Sequence, residues 1–240
     1  MDMDGMKKLA EWATRSALSL GADTAEVTLN DAREIEVSAR KSAVENLNDS
    51  SSSSITITLS VDARKATVTS SELVNESIAQ LIRDGIEIAR VMGRDEFFGL
   101  PDEKELGVAD SELCIFSQEV TDVEADSMIE TALRLEKTAC DIDGRIISDG
   151  AWVSNAVERL VFSNSLGFCE GYSRTYSSIG ISCAAEEESR RGENIGKKQS
   201  SYWYSQSISP SGLESVEDVA GKAVHRTLRK LGAVRPRTCE

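Results

Sequence analysis

Apolar and polar positions along this chain recur in two rhythms, about 3.6 and about 2 residues long, which mark helices and strands respectively. Met6, Leu9, Ala10, Ala13 and Ala17 share one face at helical spacing. They predict a helix over Asp4–Leu20, closed by Gly21 at the position where a left-handed residue ends a helix. Ala25, Val27 and Leu29 then alternate with Glu26 and Thr28, and Ile35, Val37 and Ala39 with Glu34, Glu36 and Ser38. With Asn30-Asp31 between them as turn residues, the two runs predict a hairpin with one wet face. Val44 and Leu47 suggest a weaker strand, and the serine run Ser50–Ser54 reads as a loop. Ile55, Ile57, Leu59 and Val61 alternate strictly with Thr56, Thr58 and Ser60, giving the clearest strand of the chain. Asp62–Lys65 turns it back, and Ala66 and Val68 begin the return strand.

Thr69-Ser70-Ser71-Glu72 has the form of a capping box, in which hydroxyl and carboxylate satisfy each other's backbone amides. It predicts a helix with Val74, Ile78, Leu81, Ile82 and Ala89 on its buried stripe and Gly93 at its end. Gly85 falls on the same stripe and implies a close backbone approach. Glu96–Gly107 is polar and punctuated by Gly99, Pro101 and Gly107, so it reads as a connector, with Leu113–Phe116 as a short strand. Thr121-Asp122-Val123-Glu124 is a second capping box, opening a helix with the stripe Ala125, Met128, Ile129, Ala132, Leu135 and Ala139. Strands follow at Ile146–Ile147, Ala151–Val157, Arg159–Asn164, Tyr172–Cys183 and Gln199–Ile208, with Asp149-Gly150 as a hairpin signal. Ser215-Val216-Glu217-Asp218 caps a last helix. The fold class is α+β. Two helix–antiparallel sheet–helix units are expected, at 1–107 and 108–240, the arrangement a duplication would produce. Val234–Glu240 reads as a linker to a further domain that the chain does not include.

Composition narrows the function. The 240 residues carry 27 Lys and Arg against 41 Asp and Glu, a net charge of −14. That opposes the basic surface with which nucleic-acid binders neutralise phosphates, and polybasic attachment to anionic lipid. No apolar run reaches the roughly 18 residues of a membrane span, and no signal peptide is visible, so a cytoplasmic protein is expected. The 5 cysteines include no C-x-x-C pair. One histidine means that no site needing two imidazoles can be completed within this chain.

Few residues stand out chemically. His225 shares a face with Asp218, Lys222 and Arg229, opposite the apolar stripe, and reads as a surface residue. Asp141, Asp143 and Asp149 could serve acid–base chemistry, but read first as turn residues. Glu186-Glu187-Glu188 with Arg190-Arg191 reads as a solvated loop. Tyr202-Trp203-Tyr204 is an unusual cluster in a chain that is 5% aromatic. In a strand its tyrosines face one way and its tryptophan the other, either as sheet packing or as a peptide- or partner-binding surface. No phosphate-binding glycine loop and no H-E-x-x-H motif is present.

The order of segments resembles the TldD/PmbA family, historically called modulators of DNA gyrase. The resemblance rests on Val61–Leu106 with Asp95-Glu96-Phe97-Phe98-Gly99-Leu100-Pro101-Asp102, and on Gly21-Ala22-Asp23 before Ala25-Glu26-Val27. Asn164-Ser165-Leu166-Gly167-Phe168, Tyr202-Trp203-Tyr204 and Gly221…Leu231-Gly232-Ala233 extend it to essentially the whole chain. The aromatic segment and Gly-Leu-Pro-Asp are more similar to the PmbA (TldE) branch. The resemblance implies a cytoplasmic peptidase system that processes peptides and unfolded polypeptides. In it a TldD-type subunit carries zinc in a C-terminal domain and pairs with a PmbA/TldE subunit lacking the ligands. This chain would then be a non-catalytic N-terminal portion with no cofactor of its own, assembling with a TldD-type partner or as a homodimer. The alternative is a stand-alone binding or oligomerisation module.

Overall fold

A computed structural model describes residues 1–107, 113–186 and 198–233. The chain is α+β. Helix α1 (Met3–Leu20) begins where the Asp2 carboxylate accepts from the Gly5 amide and ends at Gly21, whose φ is 111°. Strands β1 (Thr24–Arg40), β2 (Ala43–Val61) and β3 (Arg64–Ser70) follow, then α2 (Asn75–Val91). After the connector come α3 (Glu119–Asp122), α4 (Ala125–Ile142), β4 (Ile146–Asn164), β5 (Cys169–Glu186), β6 (Lys198–Ser207) and α5 (Val216–Leu228). Among the described residues the strands join in the order β3-β2-β1-β4-β5-β6, so one six-stranded sheet takes the place of a separate sheet for each half.

The expected hairpin at Asn30-Asp31 is instead the middle of one 17-residue strand. The apolar runs on either side share odd-numbered positions, so a single pleat carries both through. Ala25, Val27 and Leu29 enter one core and Val37 and Ala39 another. The turns fall at Lys41-Ser42 (φ 56° and 59°) and Asp62-Ala63 (φ 51° and 55°). Two consecutive left-handed residues are the signature of the tight turns whose twist matches a hairpin. Ser50–Ser54 is likewise strand, not loop: it lies inside the 19-residue β2. Serine is tolerated there because this stretch of the strand faces solvent or is only half-buried.

Asp149-Gly150 does not reverse the chain either. It lies within β4, where Gly150 has φ 129°. Buried positions run over Ile146 and Ser148 before it and Ala151, Val153 and Asn155 after it. That change of parity is what one inserted residue does to a strand. The first two capping boxes also fail. Ser70 belongs to β3 and its hydroxyl accepts from the Glu72 amide two residues on, while α2 starts at Asn75 without a side-chain cap. Thr121 lies in α3 and donates to the Gln118 carbonyl, and α4 starts after Glu124. Leu113–Phe116 is not a strand. The cap of the last helix holds: Ser215 Oγ accepts from the Asp218 amide at 3.1 Å and opens α5.

Two compact units interleave along the chain. The first contains Met1–Arg33, Ser51–Ile115 and Val157–Arg174, and the second Glu34–Ser50, Phe116–Ala156 and Thr175–Glu240. The first unit packs α1 and α2 with Leu29, Ile55, Ile57 and Leu59 around an aliphatic core. Gly85 lets α2 approach closely: a Cβ there would stand 3.2 Å from Leu59 Cδ2 and 3.3 Å from Val68 Cγ2. The second unit packs α4 and α5 against Val153, Ile179, Ile181 and Cys183.

Among its buried groups is one carboxylate. Glu136 of α4 is 3% exposed, and its two oxygens accept from the Lys41 amide at 2.7 Å and the Ser42 amide at 2.8 Å. It therefore holds the β1–β2 turn from inside.

Candidate functional site

The aromatic segment lies on β6, at one end of the strand order, with Tyr202, Trp203 and Tyr204 opposite Ser182, Ile181 and Gly180 of β5. Strand alternation separates the three side chains, as the sequence predicts. Tyr202 and Tyr204 are 58% and 48% exposed, and their rings stack at a centroid distance of 6.3 Å. Trp203 faces α5. Its indole N–H donates to Glu214 Oε2 at 3.0 Å, and the Lys222 ammonium and Arg226 guanidinium each lie 5.2 Å from the ring centre. Both cations sit where the ring's negative face attracts them. Lys222 also bonds Glu214 Oε1 at 2.8 Å. That bond, helped by the indole N–H, holds the Glu214 carboxyl below its usual range.

Trp152 of β4 joins the tyrosine face. A Cβ on Gly180 would come within 2.2–2.7 Å of its six-membered ring, so the indole lies directly on the glycine. Gly180 is opposite Tyr204 in the ladder, and residues directly opposite in antiparallel strands share a face. The glycine at 180 is the sequence signal that links Trp152 to the tyrosines.

A cleft of about 350 Å³ opens in the same unit, between α4, the sheet and the start of α5. Met128, Val153, Ile179, Leu213 and Val216 give it apolar walls. Two buried polar side chains, Asn155 and Ser177, stand in its floor, with Ser177 Oγ donating to Asn155 Oδ1 at 2.7 Å. At the rim, Arg134 of α4 pairs with Glu217 of α5 at 2.5 Å, which lowers the Glu217 carboxyl. No sequence motif announces this cleft. A buried asparagine inside a strand of alternating apolar residues is the nearest signal.

The other singled-out residues do not converge. His225 is exposed on α5. Asp141 pairs with Lys137, Asp149 with Arg40 at 3.7 Å, and Asp143 with Arg145 at 2.7 Å. The Arg145 hydrogen bonds bring the Asp143 carboxyl down to about 2. These are surface ion pairs, not an acid–base set. The charged block is described only at Glu186, which is exposed; its remaining residues and Cys239 lie outside the described residues. Burial pushes the Cys183 thiol up to about 12, so it is neither a thiolate nor a nucleophile at neutral pH. Among the described residues no group of three or more His, Cys, Asp or Glu side chains could hold a metal ion. No helix there is long and apolar enough to cross a membrane.

Both halves of the fold have counterparts in one class of protein. Residues 25–89 match PmbA/TldA metallopeptidase domain 1, and residues 118–231 match the central domain of the same class. The chain is 30% identical over 233 residues to the metalloprotease PmbA of Escherichia coli, covering 95% of this chain and 50% of that protein. It is 27% identical over 181 residues to a PmbA homologue of Haemophilus influenzae, covering 75% and 39%. Among solved structures, one from Bacteroides thetaiotaomicron named a modulator of DNA gyrase superposes with a TM-score of 0.87 at 26% identity, over 99% of this chain and 52% of that one. TldE from Thermococcus kodakarensis shares the fold, with a TM-score of 0.74 at 17% identity, over 92% and 47%. The chain belongs to the PmbA/TldD family. It spans about half the length of the curated relatives it matches.

Proposed function

We propose that this chain is a substrate-handling, non-catalytic portion of a PmbA/TldD-type metallopeptidase system, acting in the cytoplasm on peptides and unfolded polypeptides. The observation that supports this best is β6: a terminal strand of the sheet, bearing two exposed, stacked tyrosines. An extended peptide can add to such an edge through main-chain hydrogen bonds, which are indifferent to sequence. The tyrosine rings give its side chains an apolar but hydrated surface. The described residues do not fit zinc, because their donors form no ligand cluster, so no hydrolytic step is assigned to them. Zinc chemistry, in which the metal polarises the carbonyl and activates water, would belong to a TldD-type subunit or domain. A TldD-type subunit or a second copy of the chain is the assembly partner in this reading, and neither nucleic acid nor membrane is.

The test uses the 240-residue chain with a permanently unfolded reporter polypeptide. Binding without cleavage, accompanied by slowed hydrogen exchange at the β6 amides, is the expected result. Hydrolysis by the chain alone that a chelator abolishes, or binding that leaves β6 exchange unchanged, would overturn the proposal.

A further inference from the structure

We infer that the cleft between α4 and α5 binds an uncharged, branched apolar side chain of a peptide, with a neighbouring main-chain carbonyl accepting from Asn155 Nδ2. The volume of about 350 Å³ is at the lower end of the ~300–1,000 Å³ range typical of small-molecule sites. It suits one or two residues and no more. Its walls, chiefly Met128, Val153, Ile179 and Leu213, reward burial of hydrocarbon.

The polar floor supplies the orientation. Asn155 is only 5% exposed. Ser177 occupies its carbonyl oxygen, so its amide nitrogen is the group with capacity to spare. That nitrogen donates to Met128 Sδ at 3.7 Å, and a thioether is a weak acceptor. A buried donor with so poor a partner gains when a carbonyl oxygen replaces it. Met128 is flexible enough to give way.

Charge selects against ions. Arg134 and Glu217 neutralise each other at the rim, and Glu214 is engaged by Lys222 and the Trp203 N–H. An anion would face two carboxylates, and a cation would leave the Asn155 donor unused. A neutral amide satisfies both the walls and the floor. This assignment shares with the proposed function only the idea that the ligand is a peptide; the cleft is a second contact, independent of the β6 edge.

The test titrates the full chain with N-acetyl-leucinamide, N-acetyl-alaninamide and sodium acetate, following the Asn155 side-chain amide and the Met128 methyl group by NMR. N-acetyl-leucinamide should bind about tenfold or more tightly than the alanine analogue, because it buries three further carbons. Asn155→Asp keeps the shape but removes the donor, and should weaken binding about tenfold. Ser127→Trp plugs the mouth from an exposed position of α4 and should abolish the shifts while leaving the circular dichroism unchanged. Equal affinity for both amides, the same shifts with acetate, undiminished binding in both variants, or no shift at millimolar ligand would each overturn the inference. Leucinamide binding without unfolded-polypeptide binding would sink the β6 reading alone. The reverse result would sink the cleft alone.

Discussion

The β1–β2 and β2–β3 turns have the same backbone and opposite means of support. Each places two non-glycine residues in the left-handed region, and each has a backbone amide held by a carboxylate from elsewhere in the chain. At Lys41-Ser42 that carboxylate is Glu136, 3% exposed and anchored in α4. At Asp62-Ala63 the Asp23 carboxylate accepts from the Asp62 amide at 2.7 Å, and Asp62 itself pairs with Arg64 at 2.6 Å and Arg94 at 3.3 Å, all at the surface. A charge in a dry setting cannot be replaced by water without rebuilding its surroundings, whereas a surface network exchanges readily with solvent. The same conformation is therefore a structural fixture in one place and an adjustable one in the other.

Glu136→Ala tests this most severely. It removes a charged acceptor from two amides and empties part of the core, and should cost about 3 kcal/mol in urea-unfolding free energy. A loss below about 1 kcal/mol would mean that the two turns are equivalent after all. Asp62→Asn removes the charge but keeps a residue that tolerates the left-handed φ of 51°, and should cost only about 0.5 kcal/mol, the scale of exposed ion pairs. Raising the salt from about 0.05 to about 1 M should erase that difference while leaving the Glu136→Ala loss nearly unchanged, since screening acts on exposed charges. Smallest of all, Ala63→Gly should raise the thermal midpoint slightly. Relief of a left-handed alanine is worth about 1–2 kcal/mol, and most of it is offset by the greater freedom of glycine in the unfolded chain. A fall in the midpoint would show that the turn carries no conformational strain.

These turns also show where the sequence is readable. Helical stripes are explicit, because Met6, Ala10, Ala13 and Ala17, or Val219, Ala220, Ala223 and Val224, can satisfy only one face. Strand ends are not. Asn30-Asp31 and Asp149-Gly150 have turn chemistry yet lie in continuous strands, while Lys41-Ser42 turns without glycine or asparagine. In each case tertiary context prevails over local preference: a core waits at both ends of β1, and Glu136 stabilises a turn from 95 residues away in sequence. The capping boxes fail for a related reason, since at Ser70 the hydroxyl is committed to the amide of Glu72 and the backbone to β3. Of the candidate site, the aromatic segment and its two-sided alternation are legible. The stacking of Trp152 on Gly180 and the cleft floored by Asn155 depend on which strands become neighbours, and local patterning does not encode that choice.

The strands that run through both compact units have a consequence for inheritance. Each unit is assembled from three separate stretches of chain, and β1, β2, β4 and β5 each contribute to both. A recombination event at any single point within the stretch that encodes the two units would therefore sever at least one core. Evolution could exchange or lengthen surface segments of this protein, but it could not shuffle either unit as a module, and the pair would have to be transmitted together.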